Sequence, residues 1–237
     1  MPFDFVKYKH YSINYTDLFN RINSNRILND AYVQTHYLKR WREVLEYHDA
    51  ALTNQLSTEK SIFELKLRLQ SEPEIFQIPM HHANTEILLH FRASIANALI
   101  ANEKSEAQHI PLSEFIRKDG TIQWNPIDTN VDAYANAKEP IIAIPFLSNQ
   151  YNLLVIDGNH RLTYKTRSNI DDIHALIISE LTVIEHSLFS SGFDKMYYIM
   201  HNEINHMANA TNHQNIAAMQ IVQRSYLTDG KFKFHQW

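Results

Sequence analysis

The chain has 237 residues, 44% of them hydrophobic and 20% charged, an ordinary balance for a packed globular protein that excludes a mainly disordered one. Its 22 basic and 26 acidic residues leave a net charge of −4, so no whole-molecule field draws it to DNA or to an anionic membrane. Without cysteine there is no thiol nucleophile, disulfide, Fe–S cluster or thiolate zinc site, and the four glycines (Gly120, Gly158, Gly192, Gly230) are too scattered for a GxGxxG or GxxxxGK[ST] phosphate loop.

Residues 1–26 are polar and aromatic with no clean period and read as a lead-in. From Asn29 to Leu69 the pattern is helical: Tyr37, Leu38, Trp41, Val44 and Leu45 recur at three- and four-residue steps, and Ile62, Phe63, Leu65, Leu67 and Leu69 more loosely. Ser57-Thr58-Glu59 separates two helices and offers a cap for the second. Pro73 and Pro79 bracket a non-helical stretch, and a third helix is expected over His82–Asn102 with Ile87, Leu88, Phe91, Ile95, Leu99 and Ile100 on one side. Beyond about residue 105 the runs become strand-like. Ile141–Ile144, Leu153–Ile156 and Ala175–Ile178 are continuously apolar, as strands covered on both faces are. A short helix is expected over Asn159–Ser168, and a helical tail over Phe193–Met207 and Asn215–Arg224. No apolar run approaches the ~20 residues of a membrane span, and the N-terminus lacks a signal-peptide core, so a soluble, cytoplasmic protein is expected.

The segment Val155-Ile156-Asp157-Gly158-Asn159-His160-Arg161-Leu162-Thr163-Tyr164-Lys165 concentrates polar chemistry at the end of a buried strand. Gly158 permits a sharp turn, Asn159 is placed to cap the helix that follows, and the first-turn N–H groups open beside the positive end of its dipole. Arg161 offers a planar fork for phosphate or carboxylate, and Lys165 shares its helix face. Phosphate is the natural occupant. The structural alternative is that Asp157 pairs with Arg161 and fixes the turn.

This segment resembles the ParB/sulfiredoxin superfamily and its D-G-x-H-R or G-E-R-R signature. The resemblance extends over about residues 109–180, roughly 70 of the 237. It takes in Ile110-Pro111-Leu112-Ser113-Glu114-Phe115 as an opening strand and loop. Asn125-Pro126, a helix over Asp128–Ala137 and the strand at Ile141 follow, with Ile173–Ile178 downstream. It implies an α+β fold, a small mixed sheet with helices at 106–182, preceded by a helical region (1–105) and followed by a helical extension (183–237). It also implies a phosphate grip at Gly158, His160 and Arg161, with Asp157 as a Mg²⁺ ligand or base; with the residues read above, the expected site has Asp157 and His160 as catalytic and Gly158, Asn159, Arg161 and Lys165 as phosphate-binding. Nucleotide hydrolase, kinase and nuclease activities are all represented in the superfamily. Asn159 stands where sulfiredoxins carry cysteine, which speaks against sulfinic-acid reduction. Asn159-His160-Arg161 replaces the Glu-Arg-Arg of partitioning ParB proteins, and no helix-turn-helix follows. A nucleotide or phosphorylated small molecule is therefore the expected partner. A nucleotide-sensing module and a nuclease acting on DNA are the rivals.

Histidine is frequent, at 14 residues. His82, Glu86 and His90 would share a face of the expected third helix, and Glu203 and His206 form a Glu-x-x-His pair near His201. Nothing in the sequence brings three ligands together, so satisfied histidines are favoured over a metal site. The aromatic stripe Tyr32, Tyr37, Trp41, Tyr47 reads as a core face, and Lys39-Arg40-Arg42 beside Glu43 and Glu46 as a solvated one.

Overall fold

A computed structural model describes residues 2–71, 75–82, 85–102, 106–214 and 216–234, without the side chains of residues 70, 71 and 102. The chain is α+β. It opens with β1 (Phe3–Asp4), β2 (Lys9–His10) and α1 (Tyr15–Asn23), then the long α2 (Ala31–Gln55) and α3 (Glu59–Ser71). A strand pair follows, β3 (Ile75–His82) and β4 (Thr85–Arg92), leading into α4 (Ala93–Asn102). Next come β5 (Gln108–His109), α5 (Ser113–Ile116), β6 (Ile122–Gln123), a 3-10 turn at Asp132–Tyr134, β7 (Ile141–Pro145), β8 (Leu153–Asp157), α6 (Asn159–Arg167) and β9 (His174–Ile177). The chain closes with α7 (Glu180–Glu185), α8 (Gly192–His213), α9 (Ala218–Val222) and α10 (Tyr226–Asp229). Among the described residues no helix is long and apolar enough to cross a membrane.

Two compact units result, one of residues 1–91 with 189–237 and one of 92–188. The C-terminal helices thus belong with the N-terminal ones, and the unit with the five-stranded sheet lies between them in sequence.

In the first unit, Asp30 caps α2 by accepting from the N–H groups of Tyr32 and Val33, and Thr58 caps α3 through Ser61 N–H. The buried stripe of α2 is Gln34, Tyr37, Leu38, Trp41, Leu45 and Leu52, and α2 packs against α1 and α8. The aromatic stripe divides. Tyr37 and Trp41 are core, whereas Tyr32 and Tyr47 are 72% and 70% exposed. Steps of five and six residues turn them about 120–140° off the buried face. Arg42 pairs with Glu46 at 2.8 Å along α2, as a solvated face allows. The expected lead-in is a structured segment instead: Phe3, Phe5, Ile13, Leu18, Phe19 and Ile22 are all in the core.

Gln34 shows how one polar side chain fixes a loop. Its oxygen accepts from Ile27 and Leu28 N–H, both at 2.9 Å, and its nitrogen donates to the carbonyls of Asn23 and Asn25, both at 3.0 Å. Gln34→Leu strands these backbone groups and is expected to cost about 2 kcal/mol in urea unfolding. A cost near zero would mean that the loop finds water instead.

The expected helix over His82–Asn102 is corrected: only Ala93–Asn102 is helical, and His82 and Thr85–Arg92 are strand. Ile87, Leu88 and Leu89 are buried in succession, which suits a strand covered on both faces as well as a helix. Pro79 lies inside β3, exposed and on a strand whose sole sheet partner among the described residues is β4. Pro73 and Asn215 lie outside the described residues.

In the second unit the sheet order is β5-β9-β7-β8-β6. β7 runs antiparallel to β8 and parallel to β9, β6 is parallel to β8, and β5 is antiparallel to β9. Ile110, Phe115, Ile141, Val155, Leu162 and Ile173 form its core with their neighbours. The three apolar runs are strands, as expected. The helix expected at Asp128–Ala137 is only the 3-10 turn, and the opening strand expected within Ile110–Phe115 is corrected: β5 ends before it, at His109, and Ser113–Ile116 is helical. Between Val155 and Asp157 one extra residue of β8 opposes Ile142–Ala143, a bulge that bends the strand just before its terminal turn.

Candidate functional site

β8 ends at Asp157, and the chain reverses through Gly158 at φ 90° and ψ 13° before α6 begins. This left-handed conformation favours glycine, and the space demands it too. A Cβ here would lie 2.7 Å from Ile141 Cγ2 and 2.9 Å from Arg161 Nη2.

Gly158 itself occupies the N-cap position, with no side-chain cap. The expected capping by Asn159 is therefore corrected. Asn159 is 7% exposed and turned into the fold, where its oxygen accepts from Asn125 N–H at 2.9 Å and its nitrogen donates to the Val155 carbonyl at 3.3 Å. One turn on, the Thr163 hydroxyl accepts from Ile127 N–H at 3.0 Å. One turn further, Arg167 donates to the carbonyls of Ile127 at 2.5 Å and Thr129 at 3.1 Å. Residues 159, 163 and 167 thus form one stripe that binds the 125–129 loop to α6.

The opposite side of the first turn carries the chemistry. Arg161 Nη2 donates to Asp157 Oδ2 at 2.9 Å and to the Pro140 carbonyl at 3.1 Å. Its Nε is shielded from water without an acceptor. The two side chains are 18% and 20% exposed, so this ion pair is partly withdrawn from solvent. His160 is exposed, and its ring stacks on Tyr134 at 5.2 Å between centroids and 28° between planes. Lys165 lies about 6 Å further along the helix axis. Its ammonium contacts the Asp172 carbonyl. The structure thus brings Asp157, Gly158 and Arg161 together with His160 alongside, while Asn159 and Lys165 direct their side chains to other parts of the fold.

Among the described residues no group of three or more His, Asp or Glu side chains could hold a metal ion. His82, Glu86 and His90 do not share a helix face, because they lie on β3 and β4. His82 meets the Tyr197 hydroxyl at 2.5 Å, Glu86 meets His81, and buried His90 sits between Gln77 and Asp194. Glu203 is wholly buried under Tyr37, Ser225 and Tyr226, and the His206 ring stacks on Phe234.

Sequence reasoning missed Tyr134 and the Pro140 carbonyl, because neither bears a motif. The loop-binding stripe had a signal: Asn159, Thr163 and Arg167 are spaced by four. Compared with protein-family models, curated proteins and solved structures, the chain matches none of them.

Proposed function

We propose that the unit of residues 92–188 binds a nucleotide or other phosphorylated ligand at the Asp157–Arg161 turn, with phosphoryl transfer or hydrolysis. One observation carries this reading. At the end of an interior strand, a nine-residue helix opens without a side-chain cap, beside the partly exposed guanidinium of Arg161. Phosphate satisfies both, since first-turn N–H groups and a guanidinium fork both donate to its oxygens. The resemblance to the ParB/sulfiredoxin superfamily supports the same occupant.

In this reading Arg161 and the 159–161 backbone hold phosphate charge as it develops, and exposed His160 delivers or removes a proton. Asp157 positions the Arg161 fork through Oδ2. Its other oxygen is available to a Mg²⁺ ion that arrives with the phosphates. Mg²⁺ is commonly held by one or two carboxylates plus phosphate oxygens, so a lone carboxylate fits such an ion and would not retain one by itself. A second reading, a non-catalytic nucleotide sensor, is favoured by the same ion pair: Asp157 already engaged with Arg161 is a poor general base.

Calorimetric titration of ATP, CTP, GTP and their diphosphates with Mg²⁺ tests this, with product followed in parallel. Binding by wild type that Arg161→Ala weakens by about tenfold or more is expected. His160→Ala should retain binding while losing turnover. Binding without product would leave the sensor, and no binding by any nucleotide would overturn the nucleotide reading. Mg²⁺-dependent nicking of supercoiled plasmid would point instead to DNA as substrate.

A further inference from the structure

An imidazole that moves protons is ordinarily aligned by a hydrogen bond from its second ring nitrogen to a carboxylate or a carbonyl. His160 has no such orienter. Its side chain is exposed, and among the described residues neither ring nitrogen has a hydrogen-bond partner. An exposed ring without restraint exchanges rotamers within nanoseconds and spends only part of its time facing a ligand. One ring contact restrains this one. It stacks on Tyr134, with centroids 5.2 Å apart and planes 28° apart, an offset stack inside the favoured range of about 4.5–7 Å.

Tyr134 is itself held in place. It ends the 3-10 turn in the connection from β6 to β7, where its N–H donates to the Val131 carbonyl at 2.9 Å and its carbonyl accepts from Ala137 N–H at 3.1 Å. Val131, 2% exposed, roots that turn in the core. Upstream, Asn159, Thr163 and Arg167 fasten the same connection to α6 through backbone groups of Asn125, Ile127 and Thr129. One stripe of α6 thus binds a loop that brings an aromatic ring back against the first turn of the same helix.

We propose that Tyr134 is the positioning residue for His160, its ring confining the imidazole to the orientation that serves a phosphate at the Asp157–Arg161 turn. This role rests on the reading of that turn as a site of phosphoryl transfer or hydrolysis. The stack occupies the face of the imidazole and leaves its nitrogens, which bond in the plane of the ring, open to a ligand.

Tyr134→Phe and Tyr134→Leu in the full chain separate a positioning ring from mere bulk, because the first keeps the aromatic face and the second only apolar volume. The His160 ring-proton NMR signals, identified by their loss in His160→Ala, report the stack. Binding and turnover of ATP, CTP, GTP and their diphosphates with Mg²⁺ report the site. In wild type and Tyr134→Phe the neighbouring ring current should move the His160 signals upfield, and Tyr134→Leu should abolish that displacement. Tyr134→Leu should also lower kcat about three- to tenfold with nucleotide Kd unchanged, while Tyr134→Phe keeps the wild-type kcat. His160 signals or a kcat that Tyr134→Leu leaves unaltered would overturn the proposal, as would a kcat that Tyr134→Phe lowers equally. A wild type that turns over no nucleotide would overturn the reading of the turn and this role with it, whereas turnover indifferent to Tyr134→Leu overturns this role alone.

Discussion

Replacing Gly158 with alanine is expected to lower the stability of the 92–188 unit by about 4 kcal/mol, and to abolish any ligand binding at the turn. Two costs add. A side chain at φ 90° is strained whatever the space around it, at roughly 1–2 kcal/mol. The new methyl would also overlap Ile141, whose Cα lies 3.1 Å away, and push against Arg161 Nη2. Displacing Nη2 breaks its bonds to Asp157 and Pro140, worth about 1.5–3 kcal/mol for a charged donor. Gly158→Asn separates the two costs, since asparagine tolerates left-handed backbone but still presents a Cβ. Urea unfolding of both variants measures them. A loss below about 1 kcal/mol for alanine would show that the turn relaxes freely and that Arg161 is not held by it.

What could be read in the sequence was what neighbouring residues decide. The runs at Ile141, Leu153 and Ala175 are strands because a short, continuously apolar run of branched residues suits an interior strand, and α6 starts where Gly158 turns the chain. The segment from Ile87 to Phe91 failed that test. Its apolar positions fit a helical face and a doubly covered strand equally, and only the pairing with β3 decides between them. At the candidate site the order Asp157-Gly158-Asn159-His160-Arg161 located the turn but not the direction of each side chain. Asn159 is a better bridge to Asn125 than a cap, and that depends on a loop 34 residues away in the chain. The Asp157–Arg161 pair belongs to both readings of the segment, since it braces the turn and holds the guanidinium where an anion would meet it. Glu203 was legible only as half of a Glu-x-x-His pair. The Tyr37 hydroxyl that covers it is separated from it by 166 residues.

That burial gives Glu203→Gln an unusual expected effect: stabilisation by about 3 kcal/mol above pH 7, and almost none at pH 4.5. The Glu203 carboxyl accepts from Tyr37, Ser225 and the Tyr226 N–H at 3.0, 2.8 and 2.5 Å. Removal from water outweighs these donors and pushes its pKa from 4.5 up to about 7. The folded protein therefore binds this proton more tightly than the unfolded chain does. The resulting stability is complete below pH 4.5 and is lost as pH rises to about 7, by roughly 1.4 kcal/mol per pH unit. His90, wholly buried, runs the other way. Burial lowers its pKa from 6.5 to about 4, so its contribution is complete above pH 6.5 and is lost as pH falls to about 4. Over pH 4.5–6.5 the two slopes oppose each other, and wild-type stability should be nearly independent of these groups. Glutamine mimics the protonated acid. Its oxygen can accept from Tyr226 N–H, and its nitrogen can donate to the Tyr37 and Ser225 hydroxyls, which accept as well as donate. Urea unfolding of wild type and variant at pH 4.5, 6.5 and 7.5 isolates the effect, because every other titrating group cancels in the difference. A difference that stays constant across this range would mean that Glu203 remains ionised in the fold.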